Sequence, residues 1–144
     1  MDTPDSGLEI TNEHPLLTLD LTRLVQRIRK AVSEEGFRIE YLGVVLTGRQ
    51  RVHELNREYL NHNYPTDVLS FSLDEDATAR GYVDGEVYVD LDMAAERAPE
   101  FGAEFDTEAS RYVLHGVLHL LGYDDSTDDQ RSEMQELENK YLAD

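Results

Sequence analysis

The chain has no cysteine and no tryptophan in 144 residues, and only two of its thirteen basic residues are lysine. The missing cysteine excludes disulfides and thiolate metal ligands, so any metal must be held by nitrogen and oxygen. No apolar run approaches the roughly 20 residues that span a membrane. The first residues are acidic and polar, without the charged-then-apolar order of a secretion signal. No repeat and no linker composition interrupts the chain, and 40% apolar content gives room for a single core. The expectation is one domain over residues 1–144, flexible over 1–7, cytoplasmic and without membrane association. Positive charge is scarce too: 31 acids against 13 bases leave a formal net charge of −18. A phosphate-binding surface is ordinarily basic. Either the chain avoids nucleic acid, or its acidity is adaptation to a salt-rich cytoplasm, where the Debye length falls to a few ångströms. Eleven arginines against two lysines suit the second account, with a local basic cleft surviving under an acidic surface.

Residues 111–125, RYVLHGVLHLLGYDD, stand out. His115 and His119 are four apart in an otherwise apolar helical run, so both imidazoles share one helix face and can converge on one point. Two such histidines alone are more often surface or satisfied core residues. Here the run is apolar nearly all round and should be buried, and burying two imidazoles without partners is costly. Gly122 predicts the helix stop. Asp124 and Asp125 follow the turn, where a carboxylate can supply a third ligand beside the two imidazoles. Gly116 holds the place of the glutamate in the H-E-x-x-H zinc proteases, which argues against a protease with glutamate as general base.

This stretch resembles the signature H-G-x-x-H-L-x-G-Y-D-H of the YbeY-type endoribonucleases, the rRNA maturation factors. P-T-D-V-L-S-F, a second signature, is intact over residues 65–71, and a third, G-[DE]-[IV], appears as Gly85, Glu86 and Val87. The three keep their order and spacing over roughly residues 8–142. The resemblance implies one zinc per chain on His115, His119 and Asp125, the last standing where the family has a third histidine; carboxylate is a competent zinc ligand. Asp124 aligns with the motif aspartate, as a partner behind the ligands. The family also carries an arginine shortly before P-T-D-V, and here that position is Leu60. The densest basic cluster, Arg49, Arg51 and Arg57, lies just upstream. Its plain role is pairing with acids such as Glu54 and Glu58; its sharper one is that Arg57, with Arg49, faces an RNA backbone in place of the missing arginine.

Taken in order, Leu8 to Ile10 open a first strand, with a turn at residues 12–15, and residues 16–35 show helical spacing closed by Gly36. Residues 37–47 read as a strand with a buried end, and a helix through Val52, Leu55 and Tyr59 follows. A polar turn at 61–65 precedes a strand at 66–71, paired with 85–89 across an acidic, exposed and mobile loop at 74–84. Thr66 and Asp67 suit a turn-fixing role at least as well as a catalytic one. Asp90 is expected to cap a helix over Leu91–Arg97, and Thr107 the histidine helix. The final helix, Asp128–Leu142, aligns Met134, Leu137 and Tyr141 in one stripe. The expected fold is α+β, about four strands with a helical cover, and the resemblance implies the same: a small mixed four-stranded sheet with the metal-binding helix buried against it.

Zinc with three protein ligands leaves room for a water, acidifies it, and polarises a phosphoryl oxygen. The expected function is zinc-dependent cleavage of single-stranded RNA. The resemblance alone implies the substrate, precursor ribosomal RNA at the 3′ end of the small-subunit (16S) species, and the ribosome as partner. The alternative is a ribosome-associated binding factor with structural zinc and little nuclease activity, which Leu60 favours. A hydrolase of another substrate and a non-haem iron oxygenase are weaker rivals, the latter because its ligands usually come from a barrel.

Overall fold

The computed structural model describes residues 7–60 and 66–143. The expectations for residues 1–6 and for the turn at 61–65 therefore fall outside the described residues. Four strands form one mixed sheet in the order β1-β2-β4-β3. Leu8–Asn12 (β1) pairs parallel with Arg38–Thr47 (β2), which pairs parallel with Tyr82–Asp90 (β4); Val68–Ser72 (β3) runs antiparallel to β4. The helices are Leu21–Glu34 (α1), Arg49–Leu60 (α2), Leu91–Arg97 (α3), Phe105–Leu120 (α4) and Asp128–Leu142 (α5). The α+β expectation stands.

Strand alternation sorts the two faces of the sheet. Leu42, Val44 and Leu46 of β2 share a face with Gly85, Val87 and Val89 of β4, and all are buried. Against this face lies α4, whose Ala109, Val113, Val117 and Leu118 are sealed from solvent with Leu24, Ile28 and Val32 of α1. The opposite face carries Phe71 and Tyr88, packed edge to face, with Tyr59 of α2 edge-on to Phe71 and Arg51 over the Tyr88 ring. α5 closes the back of α4 through Leu114, Ala31 and Tyr141.

Three local expectations are corrected. The first helix begins at Leu21 rather than at residue 16, because Asp20 accepts the Arg23 N–H as its N-cap. Ahead of it, His14 Nδ1 accepts the Leu16 and Leu17 amides, which leaves Leu16 84% exposed rather than on a buried stripe. The histidine helix starts at Phe105 with Glu104 as an N-cap lacking a side-chain bond, so Thr107 sits inside its first turn and is not the cap. The segment at 74–84 is not all loop. A 3₁₀ turn at Thr78–Arg80, an Asp74–Arg80 ion pair and the buried Ala77 order it, and β4 begins at Tyr82. Asp90 does cap α3, accepting the Met93 N–H at 3.0 Å.

How deep α4 sits is decided at Gly116. A Cβ there would lie 2.6 Å from Val87 Cγ1 and 3.0 Å from Val68 Cγ2, and the Ser70 hydroxyl donates to the Gly116 carbonyl at 2.9 Å. Both valines are short and packed, so neither can swing aside cheaply. Gly116→Ala is expected to destabilise the fold by about 1–3 kcal/mol, the usual range for overpacking. Urea unfolding measures this, and an unchanged midpoint would show that the helix can lift off the sheet at no cost.

Candidate metal centre

The end of α4 places the histidines and returns the chain to them. Leu121 ends the helix and Gly122 turns it with φ +109, a conformation natural only to glycine. Tyr123 N–H bonds the Leu118 carbonyl at 3.1 Å and Gly122 N–H the His119 carbonyl at 3.0 Å, the paired bonds of a Schellman motif. The reversed chain then sets Asp125 opposite the histidine face. His115 Nε2 and His119 Nε2 are 3.0 Å apart, and Asp125 Oδ2 lies 3.3 Å from the first and 3.5 Å from the second.

The other ring nitrogens fix what these atoms are. His119 Nδ1 lies 3.0 Å from the Tyr123 carbonyl, which can only accept, so Nδ1 carries the proton. His115 Nδ1 donates to the Glu138 carboxylate at 2.7 Å. In the neutral tautomers both Nε2 atoms are bare lone pairs, facing each other and a carboxylate oxygen. Such a set repels itself unless a cation lies within it. Tetrahedral zinc with bonds of about 2.0–2.1 Å has ligand–ligand edges of about 3.3 Å, which the observed separations bracket. His115, His119 and Asp125 therefore fit a divalent ion and are the group among the described residues able to hold one.

Glu138 belongs to none of the sequence motifs. It is 4% exposed and also accepts from Arg111 Nη1 at 3.0 Å. Burial alone would lower the His115 pKa, but Glu138, with Asp67 and Asp125, holds it above the ordinary value. The signal was in the periodicity: Glu138 falls between Met134 and Tyr141 on the buried stripe of α5, and Arg111 is one turn ahead of His115 on the ligand face of α4.

Asp124 touches neither histidine. Its Oδ1 accepts the Asp125 N–H at 2.8 Å and the Ser126 hydroxyl at 3.1 Å, which holds the backbone that presents Asp125. Arg131 donates to the Asp125 carbonyl at 3.1 Å, and a Thr127–Gln130 capping box anchors the start of α5. Tyr123 is tied from outside, its hydroxyl donating to Glu35, which also accepts from Tyr141.

Two cavities meet at the cluster, and His115 and Asp67 border both. One, of about 640 Å³, is walled by Leu60, Ser70, Ser72, Thr78, Gly122 and Asp125. The other, of about 480 Å³, opens between α3, α4 and α5 and holds Arg97 and Arg111. Leu60, where the resemblance expects arginine, does reach the cluster cavity. Arg57, one turn earlier, is exposed and lines neither. Arg49 pairs with Glu96 at 2.6 Å instead of Glu54 or Glu58, and its amide donates to Asp92, joining α2 to α3. Asp67 borders both cavities and approaches Arg97 at 3.8 Å.

Comparison with known proteins bears on this geometry. The model of the family described as Endoribonuclease YbeY matches residues 9–144. Endoribonuclease YbeY of Salinibacter ruber is 48% identical over 141 residues, covering 94% of this chain and 89% of that protein. Its counterpart in Chlorobium phaeobacteroides is 41% identical over 119 residues, covering 83% and 81%. The solution structure of TM1509 from Thermotoga maritima superposes with a TM-score of 0.65 at 32% identity, covering 94% of this chain and 86% of that one.

Metal titration separates the roles at this centre. The wild type should bind about one zinc per chain, and Asp125→Ala should lose most of that affinity. Glu138→Gln, which keeps the volume but weakens the hold on His115, should lower affinity about 10–100-fold. Competition with a chromophoric chelator reads both, and undiminished binding by Asp125→Ala would remove Asp125 from the ligand set.

Proposed function

The chain belongs to the endoribonuclease YbeY family, and from that membership and the His115–His119–Asp125 cluster we propose that it is a zinc-dependent endoribonuclease cutting single-stranded RNA. The observation that carries the reading is the tautomer lock: both Nδ1 atoms are committed, so both Nε2 atoms converge with a carboxylate beside open cavities. When bound there, a divalent ion supplies Lewis acidity, acidifying water and polarising a phosphoryl oxygen.

The chain's own residues do the rest. Glu138 and the Tyr123 carbonyl orient the imidazoles, and Asp124 with Arg131 fixes the Asp125 loop. Gly116 packs on the sheet, so no glutamate base of the protease type fits at that position. In this reading the substrate is precursor ribosomal RNA, at the 3′ end of the small-subunit 16S species, met on the ribosome in the cytoplasm. The family's membership supports that assignment. Among the described residues no helix is long and apolar enough to cross a membrane. The net charge of −18 fits action in concentrated salt, where screening within ~3 Å at 1 M removes the general repulsion between protein and RNA.

The zinc-loaded protein should cleave single-stranded RNA internally, spare duplex RNA, and gain activity as salt rises from dilute to molar. His119→Ala and Asp125→Ala should each lose more than the roughly 100-fold that outer partners can cost. A wild type that holds zinc and associates with small subunits yet cuts no RNA would establish the binding-factor reading instead. Leu60 in the cavity wall is the feature that favours that rival.

A further inference from the structure

Among the described residues, the cavity walled by Leu60 is lined by no arginine or lysine, whereas the one on the far side of His115 is lined by two guanidinium groups. These two are not equivalent. Arg111 is committed: it donates to Glu138 at 3.0 Å and to Asn139 Oδ1 at 2.7 Å, and so braces the metal centre. Arg97 is held only at 3.8 Å from Asp67 and its side chain is 45% exposed, free to turn towards an anion. Of the three acids in the same wall, Glu108 and Glu138 are buried, and Asp67, partly exposed, is the one that faces Arg97.

Beside Arg97 is Phe101, 68% exposed. A lone exposed phenyl ring is unremarkable on a protein surface. This one is fixed in a 3₁₀ turn, Pro99–Phe101, closed by Gly102 at φ +65, and it borders a cavity shared with a metal-ligand histidine. The buried Tyr112 hydroxyl lies beside Glu108 and, among the described residues, makes no hydrogen bond of ordinary length and angle; Gln135 and Asn139 add amide groups to the wall. An aromatic face, a loosely held guanidinium and several hydrogen-bonding groups are what a single nucleotide uses: stacking for the base, charge for the phosphate, polar contacts for base edge and ribose. About 480 Å³ lies within the range of small-ligand pockets.

We propose that this cavity is the subsite for a nucleotide flanking the cleaved phosphate, with Phe101 stacking on its base and Arg97 contacting its phosphate. The proposal rests on the reading of the chain as an RNA-cleaving enzyme. It also moves the phosphate-binding cation from Arg57, where the sequence pointed, to the other side of the metal centre.

Steady-state cleavage of a short single-stranded RNA by zinc-loaded protein tests it. Phe101→Ala and Arg97→Gln should each raise KM about 10-fold, as loss of one stacking or phosphate contact does, with kcat within about twofold. Zinc stoichiometry and melting temperature should be unchanged. Removing the base from the flanking nucleotide should cost the wild type the same factor and Phe101→Ala nothing further, a coupling that a merely structural role would not produce. Arg38→Gln, which removes a charge at the start of β2, should behave as wild type. If the wild type cleaves RNA but Phe101→Ala and Arg97→Gln match it, the subsite is wrong and the enzymatic reading stands. If the wild type cleaves no RNA, both fall together.

Discussion

The contact of Gly116 with the valines of the sheet sets where everything else can be. It lets α4 lie close enough to β3 and β4 to be buried along most of its length. A helix so placed must find partners for each polar side chain it carries, since a buried unpaired imidazole or guanidinium is expensive. His115, His119 and Arg111 share one face of α4, and the partners lie beyond that face: Glu138 from α5, and the Tyr123 carbonyl and Asp125 from the turn. The same closeness leaves position 116 without room for a side chain. The centre thus resembles a protease site in its two histidines while lacking that mechanism's base for a steric reason.

The acidity of the molecule and the chemistry of its centre act at different ranges. Surface carboxylates make up most of the −18, and their field is cut off within a few ångströms when salt is concentrated. At the centre each carboxylate has a short-range partner: Glu138 holds Arg111 and the His115 N–H, Asp67 lies near Arg97, and Asp125 converges with both imidazoles where a cation would sit. An acidic exterior is compatible with an anionic substrate provided the last contacts are short and the long-range repulsion is screened.

Much of this could be read from residue order, and the limits have a physical pattern. The ligands lie within eleven residues on a helix and its turn, so spacing brought His115 and His119 together with a carboxylate after the turn, and the family resemblance singled out Asp125 rather than Asp124. An α+β layer of about four strands followed from strand-like runs flanked by turn residues, and the resemblance implied that the sheet is mixed. What escaped was tertiary. Glu138 belongs to another helix and looked like any acid in an acidic chain; Arg97 and Phe101 entered the picture only when α3 docked beside α4. The cluster at Arg49, Arg51 and Arg57 was conspicuous in sequence, but Glu96 and the Tyr88 ring engage the first two, and the third lies outside the cavities. The late start of α1 has a similar cause, since a histidine pinning the preceding amides competes with a helical pattern that leucine spacing had suggested.

The ligands and the groups that hydrogen-bond their rings all fall between residues 115 and 138, on α4, its turn and α5, whereas α2, α3 and the strands furnish cavity wall. Leu60, Arg97 and Phe101 thus lie outside the segment that carries the ligands, although Tyr112, Gln135 and Asn139 of α4 and α5 share the wall with Arg97 and Phe101. Substitutions that reshape which RNA is accepted can accumulate in the walls without passing through the intermediate of a broken centre. A wall residue such as Leu60 can change while the histidine hairpin stays intact, and a compensating contact can arise on a different wall. In evolutionary terms the fold separates the rate at which specificity changes from the rate at which the reaction itself can be lost.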